Sequence, residues 1–467
     1  MRGLTAICGA AKDGRRRGGV VGAVDILADK FFALTAILAG LVPDRGAEVC
    51  EDGDVSDPRF VPAATPWAES WRTIGVTGTN GKTSTTVLAA AVIQAAGLHV
   101  FSSTTLDYCV DGESLHMTRS WPSFLAAAEH CHELGGAHAV VEITSQALAR
   151  GYAKRWRYDV GVFTNLSPDH FKTHGSWEHY LASKAQLFVH LPAHGAAVPN
   201  ARDPSAALVD RVTAAEVRRL WFGVASRGPA LRGEDLAARS VEVTPAGTRV
   251  ILEPSPLAEA LGGTLELALV GEVFAENALA AACATHAVGI DAAAIRRGLA
   301  GCPGVPGRFE LFARGGPVVA VDYAHTPDAL VRMCATARGL AGRGRVIVVF
   351  GAGGDTDAGK REPMGEAVGA AADLAIVTTD NPRHEDPRAI AAMLIAGIER
   401  GGRARVRVEA DRGRAIALAL QEAGRGDVVV IAGKGHEQGQ AIGDEIVPFS
   451  DRDHLRALLG LADVEVA

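Results

Sequence analysis

No two of the seven cysteines form a C-x-x-C element: Cys8, Cys50, Cys109, Cys131, Cys283, Cys302 and Cys334 are scattered along the chain. An odd, dispersed set argues against a disulfide framework and against a zinc site, and fits reduced thiols in a cytosolic protein. A basic excess is missing too. Lys and Arg number 47 against 54 Asp and Glu, a formal net charge of -7, so there is no electrostatic footprint for nucleic acid. The apolar stretch 31–42 is too short to span a bilayer. Arg15-Arg16-Arg17, after Met1-Arg2-Gly3-Leu4, has the wrong polarity for a secretory leader. No internal repeat is visible, which removes solenoids and propellers. The expectation is a soluble cytoplasmic protein, monomeric, with neither nucleic acid nor membrane as partner.

What the chain does contain is a phosphate cradle. The apolar run Ile74–Val76 leads into Thr77-Gly78-Thr79-Asn80-Gly81-Lys82-Thr83-Ser84, and an alanine-rich helical pattern follows from Thr85 to Ala96. Gly78 and Gly81 let backbone N–H groups turn toward an anion, and the helix points its positive end at the same place. Lys82 would reach the outer phosphates and the Thr83 hydroxyl would sit on Mg²⁺. A strict G-x-x-x-x-G-K-[ST] pattern needs glycine where Val76 stands, so this loop departs from it. The bland alternative is a glycine turn capping an ordinary βα unit.

At 467 residues the chain is too long for one core. Residues 1–68 hold one helical stretch (24–41) and an acidic, proline-rich run that reads as a linker. From Trp71 onward strand-like runs at 73–76, 139–143 and 159–164 alternate with helices, the mark of a parallel sheet covered on both faces. Residues 239–270 alternate branched and polar residues and suggest an antiparallel patch, followed by helices over 276–288 and 291–300. The break Gly301-Cys302-Pro303-Gly304-Val305-Pro306-Gly307 places a boundary. A second series of strands follows at 318–323, 345–350, 374–378 and 428–432, each expected to lead into a helix. The fold class is therefore α/β. It comprises a short N-terminal segment (1–68), a central P-loop-type parallel-sheet ATPase domain (69–303) and a Rossmann-like α/β C-terminal domain (304–467). Phe350-Gly351-Ala352-Gly353-Gly354 lacks G-x-G-x-x-G spacing and an acidic partner, so no dinucleotide is expected.

Further motifs sit at strand ends. Glu142 closes Val140-Val141-Glu142, where a second Mg²⁺ ligand belongs beside a P-loop. Thr164-Asn165-Leu166-Ser167-Pro168-Asp169-His170 follows another strand, and Lys184 lies downstream. With Glu276-Asn277-Ala278, Gly304–Glu310, Val321-Asp322-Tyr323-Ala324-His325, Gly351–Asp355, Asp380-Asn381-Pro382-Arg383 and Gly433-Lys434-Gly435-His436-Glu437, the span from Thr73 onward resembles the Mur ligases. Within them it is most similar to the MurE type, which adds the third residue of the peptidoglycan stem peptide.

The resemblance implies an ATP-dependent acid–amino acid ligase working through an acyl phosphate. Gly78, Thr79, Asn80, Gly81, Lys82, Thr83 and Ser84 would hold ATP with Asn277, Arg308, Asp322 and His325. Thr83, Glu142, His170 and a carbamylated Lys184 would hold Mg²⁺, and Lys82, Glu142, His170 and Lys184 are the catalytic set. Arg361, Asp380, Asn381, Pro382, Arg383, Gly433 and Glu437 would take the amino acid, meso-diaminopimelate by the intact Asp-Asn-Pro-Arg segment, since Arg383 can grip a distal carboxylate bidentately. Thr118, Ser145, Arg150 and Asn165 belong to the acceptor side, with a UDP-MurNAc-peptide as expected acceptor. There the sequence departs from the family: Thr118-Arg119-Ser120 replaces Thr-Thr-Pro, Thr144-Ser145-Gln146 replaces Ser-Ser-His, and the N-terminal uridine-binding domain is missing or reduced. Alternatives are a MurE-derived ligase for a non-UDP carboxylate acceptor, with folyl-polyglutamate-like addition as a distant variant, or a silent nucleotide-binding scaffold. A P-loop motor or kinase fits less well, because neither needs an amino-acid pocket.

Overall fold

The structure, a computed structural model, describes residues 66–167, 176–313 and 316–461. The expected helix at 24–41 and His170 lie outside these residues.

The central sheet is built from β1 (Arg72–Thr77), β2 (Val100–Ser103), β3 (Tyr108–Val110), β4 (Glu113–Ser114), β5 (His138–Glu142), β6 (Val160–Phe163), β7 (Ala196–Pro199) and β8 (Arg218–Arg219). Their order is β4-β3-β2-β5-β1-β6-β7-β8. The strands from β2 to β8 run parallel, and β3 and β4 add an antiparallel edge. β1 is central, and its five residues after Arg72 are all buried, as a strand covered on both faces requires. Register sets Val76 beside both Glu142 and Val162, so the C-terminal ends of β5, β1 and β6 form one rim. The crevice outside such a rim is where doubly wound sheets bind ligands.

Helix Lys82–Ala95 leaves β1 at Gly81 and is buried along most of its length. Alanine and glycine explain how. Helices Glu272–Ala287 and Ala292–Gly301 pack on it closely enough that a Cβ at Gly298 would strike the backbone of Val92. The antiparallel patch expected at 239–270 is present in β10 (Leu236–Thr244), β11 (Gly247–Leu252) and β12 (Thr264–Leu267), and β9 (Phe222–Val224) joins β10 in parallel, giving the order β12-β11-β10-β9.

After Pro306 the second sheet assembles from β13 (Glu310–Ala313), β14 (Val318–Asp322), β15 (Val346–Phe350), β16 (Leu374–Val377), β17 (Arg405–Val408) and β18 (Val428–Ala432), in the order β13-β14-β18-β15-β16-β17. All pairs are parallel except β13 with β14. β18 departs from the expected strand-then-helix order. A hairpin, β19 (Gly439–Ile442) and β20 (Glu445–Pro448), intervenes before helix Asp451–Leu459. β17 alternates Arg and Val at the sheet edge and was not anticipated. One apolar cluster runs from Val76 through Leu279 and Phe309 to Val348 and Val430, joining the two large sheets. Among the described residues no helix is long and apolar enough to cross a membrane.

Candidate active site

The loop after β1 is shaped by the next strand end. Thr79 N–H donates to Asn165 O at 2.9 Å and Asn80 N–H to Asn165 Oδ1 at 2.9 Å. The Thr164 hydroxyl and the Asn165 amide in turn donate to Asn80 O, at 2.7 and 3.1 Å. Gly78 (φ 148) and Gly81 (φ 86) have no room for a side chain: a Cβ would run into Thr164 Oγ1 at the first and Asn277 Oδ1 at the second. Asn165, expected on the acceptor side, is therefore a strut of the phosphate loop, and Asn277 packs against that loop from helix Glu272–Ala287.

Within the loop Lys82 Nζ donates to Thr79 O at 2.9 Å and lies 3.9 Å from Glu142 Oε1. The Thr83 hydroxyl donates to Glu142 Oε2 at 2.8 Å, and Thr105 N–H reaches the same oxygen at 3.1 Å. Glu142 is only 7% exposed, and these donors satisfy its buried oxygen Oε2. A hydroxyl and a carboxylate at hydrogen-bond distance on the cavity rim form a hard oxygen pair of the kind Mg²⁺ takes beside nucleotide phosphates.

The far wall comes from beyond the break at 301–307. Arg308 stacks on the Tyr323 ring at 4.4 Å and brings Nη2 within 3.4 Å of Thr83 Oγ1. Asp322 accepts from Phe309 N–H at 2.7 Å and Ala324 N–H at 2.8 Å. Burial pushes its carboxyl up, against the pull of Arg308 and those two amides. His325 Nδ1 lies 2.8 Å from Tyr323 O, and His436 stands 5.0 Å from the same ring. Burial, then Arg308, lowers the His436 imidazole to about 4, so it is neutral at pH 7. These residues and the loop 79–84 enclose a cavity of about 380 Å³.

Two bridges cross the same gap. Asn80 Nδ2 donates to Asp328 Oδ2 at 3.1 Å, and Arg332 Nη1 donates to Glu276 Oε2 at 2.8 Å. Arg332, Thr105 and His436 line the cavity without having been anticipated. His436 stood in plain view within Gly433–Glu437, whereas Thr105 and Arg332 sit on segments with no local signal.

Lys184, on helix Trp177–Val189, is 1% exposed. Its Nζ donates to Gly78 O at 2.6 Å and lies 4.5 Å from the Tyr180 ring centroid, so it approaches the loop from behind.

The Asp380–Arg383 segment follows β16 and meets the turn after β18. Lys434, fully buried, donates to Asn381 Oδ1 at 2.9 Å and Glu437 Oε2 at 2.7 Å, while Asn381 Nδ2 donates to Glu437 Oε2 at 2.9 Å. Gly433 (φ 113) closes on Asp380. Arg383 adopts φ 49 and donates through Nη1 to Gly354 O at 2.6 Å. Arg361, expected on the same side, is 2% exposed and pairs with both Glu385 oxygens at 2.7 Å.

A second cavity, of about 270 Å³, opens on the other side of Glu142 and Thr105 and includes Arg119, Trp121, Arg150 and Tyr152. Arg150, expected on the acceptor side, lines this cavity. Thr118 is exposed and Ser145 is buried in the first turn of helix Ser145–Ala149, and neither lines this cavity. Arg119, which lies 4.6 Å above the Tyr108 ring, occupies the wall instead.

Comparison with known proteins agrees with this geometry. The Mur ligase middle domain matches residues 76–285, and the Mur ligase glutamate ligase domain matches residues 307–435. A protein of Solibacter usitatus named UDP-N-acetylmuramoyl-L-alanyl-D-glutamate--2,6-diaminopimelate ligase is 39% identical over 391 residues, covering 82% of this chain and 76% of its own length. A protein of the same name from Geobacillus thermodenitrificans is 36% identical over 448 residues, covering 93% and 87%. A solved structure bearing that ligase name superposes with TM-score 0.59 at 31% identity, over 86% of this chain and 79% of its own. A Mycobacterium tuberculosis folylpolyglutamate synthase bound to ADP reaches TM-score 0.62 at 22% identity, over 86% and 96%, and shares the fold. The chain belongs to the Mur ligases, a family of ATP-dependent carbon–nitrogen ligases.

Proposed function

We propose that the chain joins meso-diaminopimelate to UDP-MurNAc-L-Ala-D-Glu at the expense of ATP, in the assembly of peptidoglycan precursors. The observation that carries this reading is what surrounds one cavity. The loop 79–84, Arg308 and His436 line it, Glu142 lines both it and the Arg150 cavity, and Glu437, next to His436, accepts a hydrogen bond from Asn381 of the Arg383 loop. The domain boundary proposed for this division of labour is 303/304.

In the reaction an acceptor carboxylate oxygen attacks the γ-phosphorus, the bond to the β-phosphate oxygen breaks, and ADP departs. The amine of the incoming amino acid then attacks the acyl carbon, loses a proton, and expels phosphate. Lys82 and the loop amides would neutralise charge on the transferring group, and Arg308 would reach the same place from the second sheet. Thr83 and Glu142 would hold Mg²⁺, which supplies further neutralisation of the phosphates. Closure of the two sheets would exclude water from a hydrolysable acyl phosphate. Lys184 fits carbamylation. A carbamate nitrogen keeps one N–H, so the hydrogen bond to Gly78 O would survive while the buried cation became an anion with oxygen donors.

A second reading has its own support in the acceptor cavity. With Thr118 exposed and Arg119 and Trp121 on the wall, a different carboxylate acceptor is the alternative. One experiment separates them: phosphate release with Mg-ATP, bicarbonate and meso-diaminopimelate, with and without UDP-MurNAc-L-Ala-D-Glu. Release that needs both substrates, with the tripeptide product seen by mass spectrometry, supports the first reading. Binding of ATP without release under any of these conditions overturns it.

A further inference from the structure

Three segments around the proposed amino-acid pocket meet on a single imidazole. His384 follows Arg383 directly. Its Nδ1 lies 2.9 Å from Asp355 Oδ2 on the turn after β15, and its Nε2 lies 3.0 Å from Asp444 Oδ1 at the tip of the β19–β20 hairpin. The backbone N–H of His384 also donates to Asp355 Oδ2, at 3.2 Å. Ionised carboxylates only accept, so contact with both at once requires both ring nitrogens to donate, and that is the imidazolium form.

The parts joined in this way are also tied by other polar contacts: Asp355 N–H donates to Glu385 Oε1 at 2.6 Å, Gly354 N–H to Asn381 O at 2.8 Å and Ala441 N–H to Asn381 Oδ1 at 3.0 Å. Asp355 (φ 53) and Arg383 (φ 49) are both non-glycine residues in the left-handed region, a conformation that persists only where neighbouring contacts enforce it. All four residues of β20 are exposed, and Ile446 is 77% exposed, so the hairpin contributes little apolar packing of its own. What positions it is polar: Arg383 N–H donates to Ala441 O at 3.0 Å and Gly443 N–H donates to Arg383 O at 2.8 Å, beside the His384 bridge. Its chain neighbours Arg383 and Glu385 are also charged, and Glu385 is engaged by Arg361.

We propose that His384 is a positioning residue: as an imidazolium it staples the hairpin and the Asp355 turn to the Arg383 loop, and so sets that loop's grip on the incoming amino acid's carboxylate. The part concerning the amino acid rests on the function proposed above; the staple itself does not. The hydrogen bond with Asp355, then that with Asp444, raises the imidazole's pKa above its ordinary value. The staple is therefore complete below about pH 6.5 and is lost as pH rises through the raised value.

Two measurements test this, from about pH 6 to about pH 9. The first is hydrogen exchange of the hairpin amides in the substrate-free chain, corrected for intrinsic rates. Protection in the wild type should fall as pH rises, stay high in His384→Arg, which keeps the charge, and be low throughout in His384→Asn. The second is steady-state kinetics. The KM for meso-diaminopimelate should rise about two- to fivefold over the same interval in the wild type, the span typical of exposed charge pairs, and stay level in His384→Arg. The KM for ATP should not move. Hairpin protection that is flat in the wild type, or that falls equally in His384→Asn, overturns the proposal. If meso-diaminopimelate is not a substrate, the kinetic arm fails alone and the exchange arm still decides whether the staple exists.

Discussion

The pair formed by Arg412 and Asp451 gives a sharp test of how the second sheet and the proposed amino-acid site beside it are held together. The two residues open helices Arg412–Glu422 and Asp451–Leu459, and their side chains are 1% and 0% exposed. Nε and Nη2 each meet one carboxylate oxygen at 2.7 Å, and Nη2 also donates to Ala432 O at 2.9 Å, immediately before Gly433. Replacing Asp451 by Asn keeps the shape but leaves a guanidinium in a low-dielectric interior without its counter-charge. Breaking a buried pair from one side costs about 3–5 kcal/mol. At about 2–4 °C per kcal/mol for a unit of 150–250 residues, the melting temperature should fall by about 6–20 °C. Scanning calorimetry at pH 7 reads this directly. The double change Arg412→Met with Asp451→Leu removes both charges and should recover most of the loss. It should not recover affinity for the amino acid, because Arg412 also acts electrostatically on Asp380 and Glu437. An Asp451→Asn protein melting within about 2 °C of wild type would refute the reasoning, since the pair would then be worth no more than one on the surface.

Gly81→Ala should abolish ATP turnover while the chain stays folded, because a Cβ there meets Asn277 and φ is 86; nucleotide binding and far-ultraviolet circular dichroism separate the two effects. Lys184→Ala should remove ligation but leave ATP binding largely intact, and depleting bicarbonate should slow the wild type reversibly and leave the variant unaffected. At Asp373 burial raises the carboxyl's pKa, but the Val346 amide, Arg338 and Arg403 outweigh it and bring the group to about 2. A depressed carboxylate stabilises above its ordinary value and stops doing so as pH falls toward that of the folded state. Acid unfolding of Asp373→Asn, followed by fluorescence, should therefore show a flatter stability loss than wild type below about pH 4.

Much of this architecture could be read along the chain because its signals are local. Runs of Val and Ile bounded by glycine gave β1, β14, β15 and β18, and the order of glycines, Lys82 and Thr83 gave the phosphate loop. The Asp380–Arg383 cluster likewise marked a segment that Lys434 and Glu437 bind through Asn381. What escaped reading depends on partners distant in sequence. β17 presents alternating Arg and Val, and only an open sheet edge makes that a strand. Thr105 matters because β2 pairs with β5 and carries it to Glu142. The pairing of Arg361 with Glu385 likewise joins two segments that lie apart in sequence. Nothing in the segment of Asn165 reveals that its amide is used by Asn80.

The two sheets share the proposed nucleotide cavity but not the sites proposed for the acceptor and the amino acid. The cavity containing Arg150 is built entirely from the first sheet's elements, and the Arg383 loop entirely from the second's. Selection acting on one can thus leave the other untouched, provided that the contacts of Asn80 with Asp328 and of Glu276 with Arg332 are preserved at the seam. A lineage could exchange its amino acid or its acceptor one at a time. Recombination near residue 303 would then be a direct route to hybrid ligases that pair a known nucleotide engine with a new combination of building blocks.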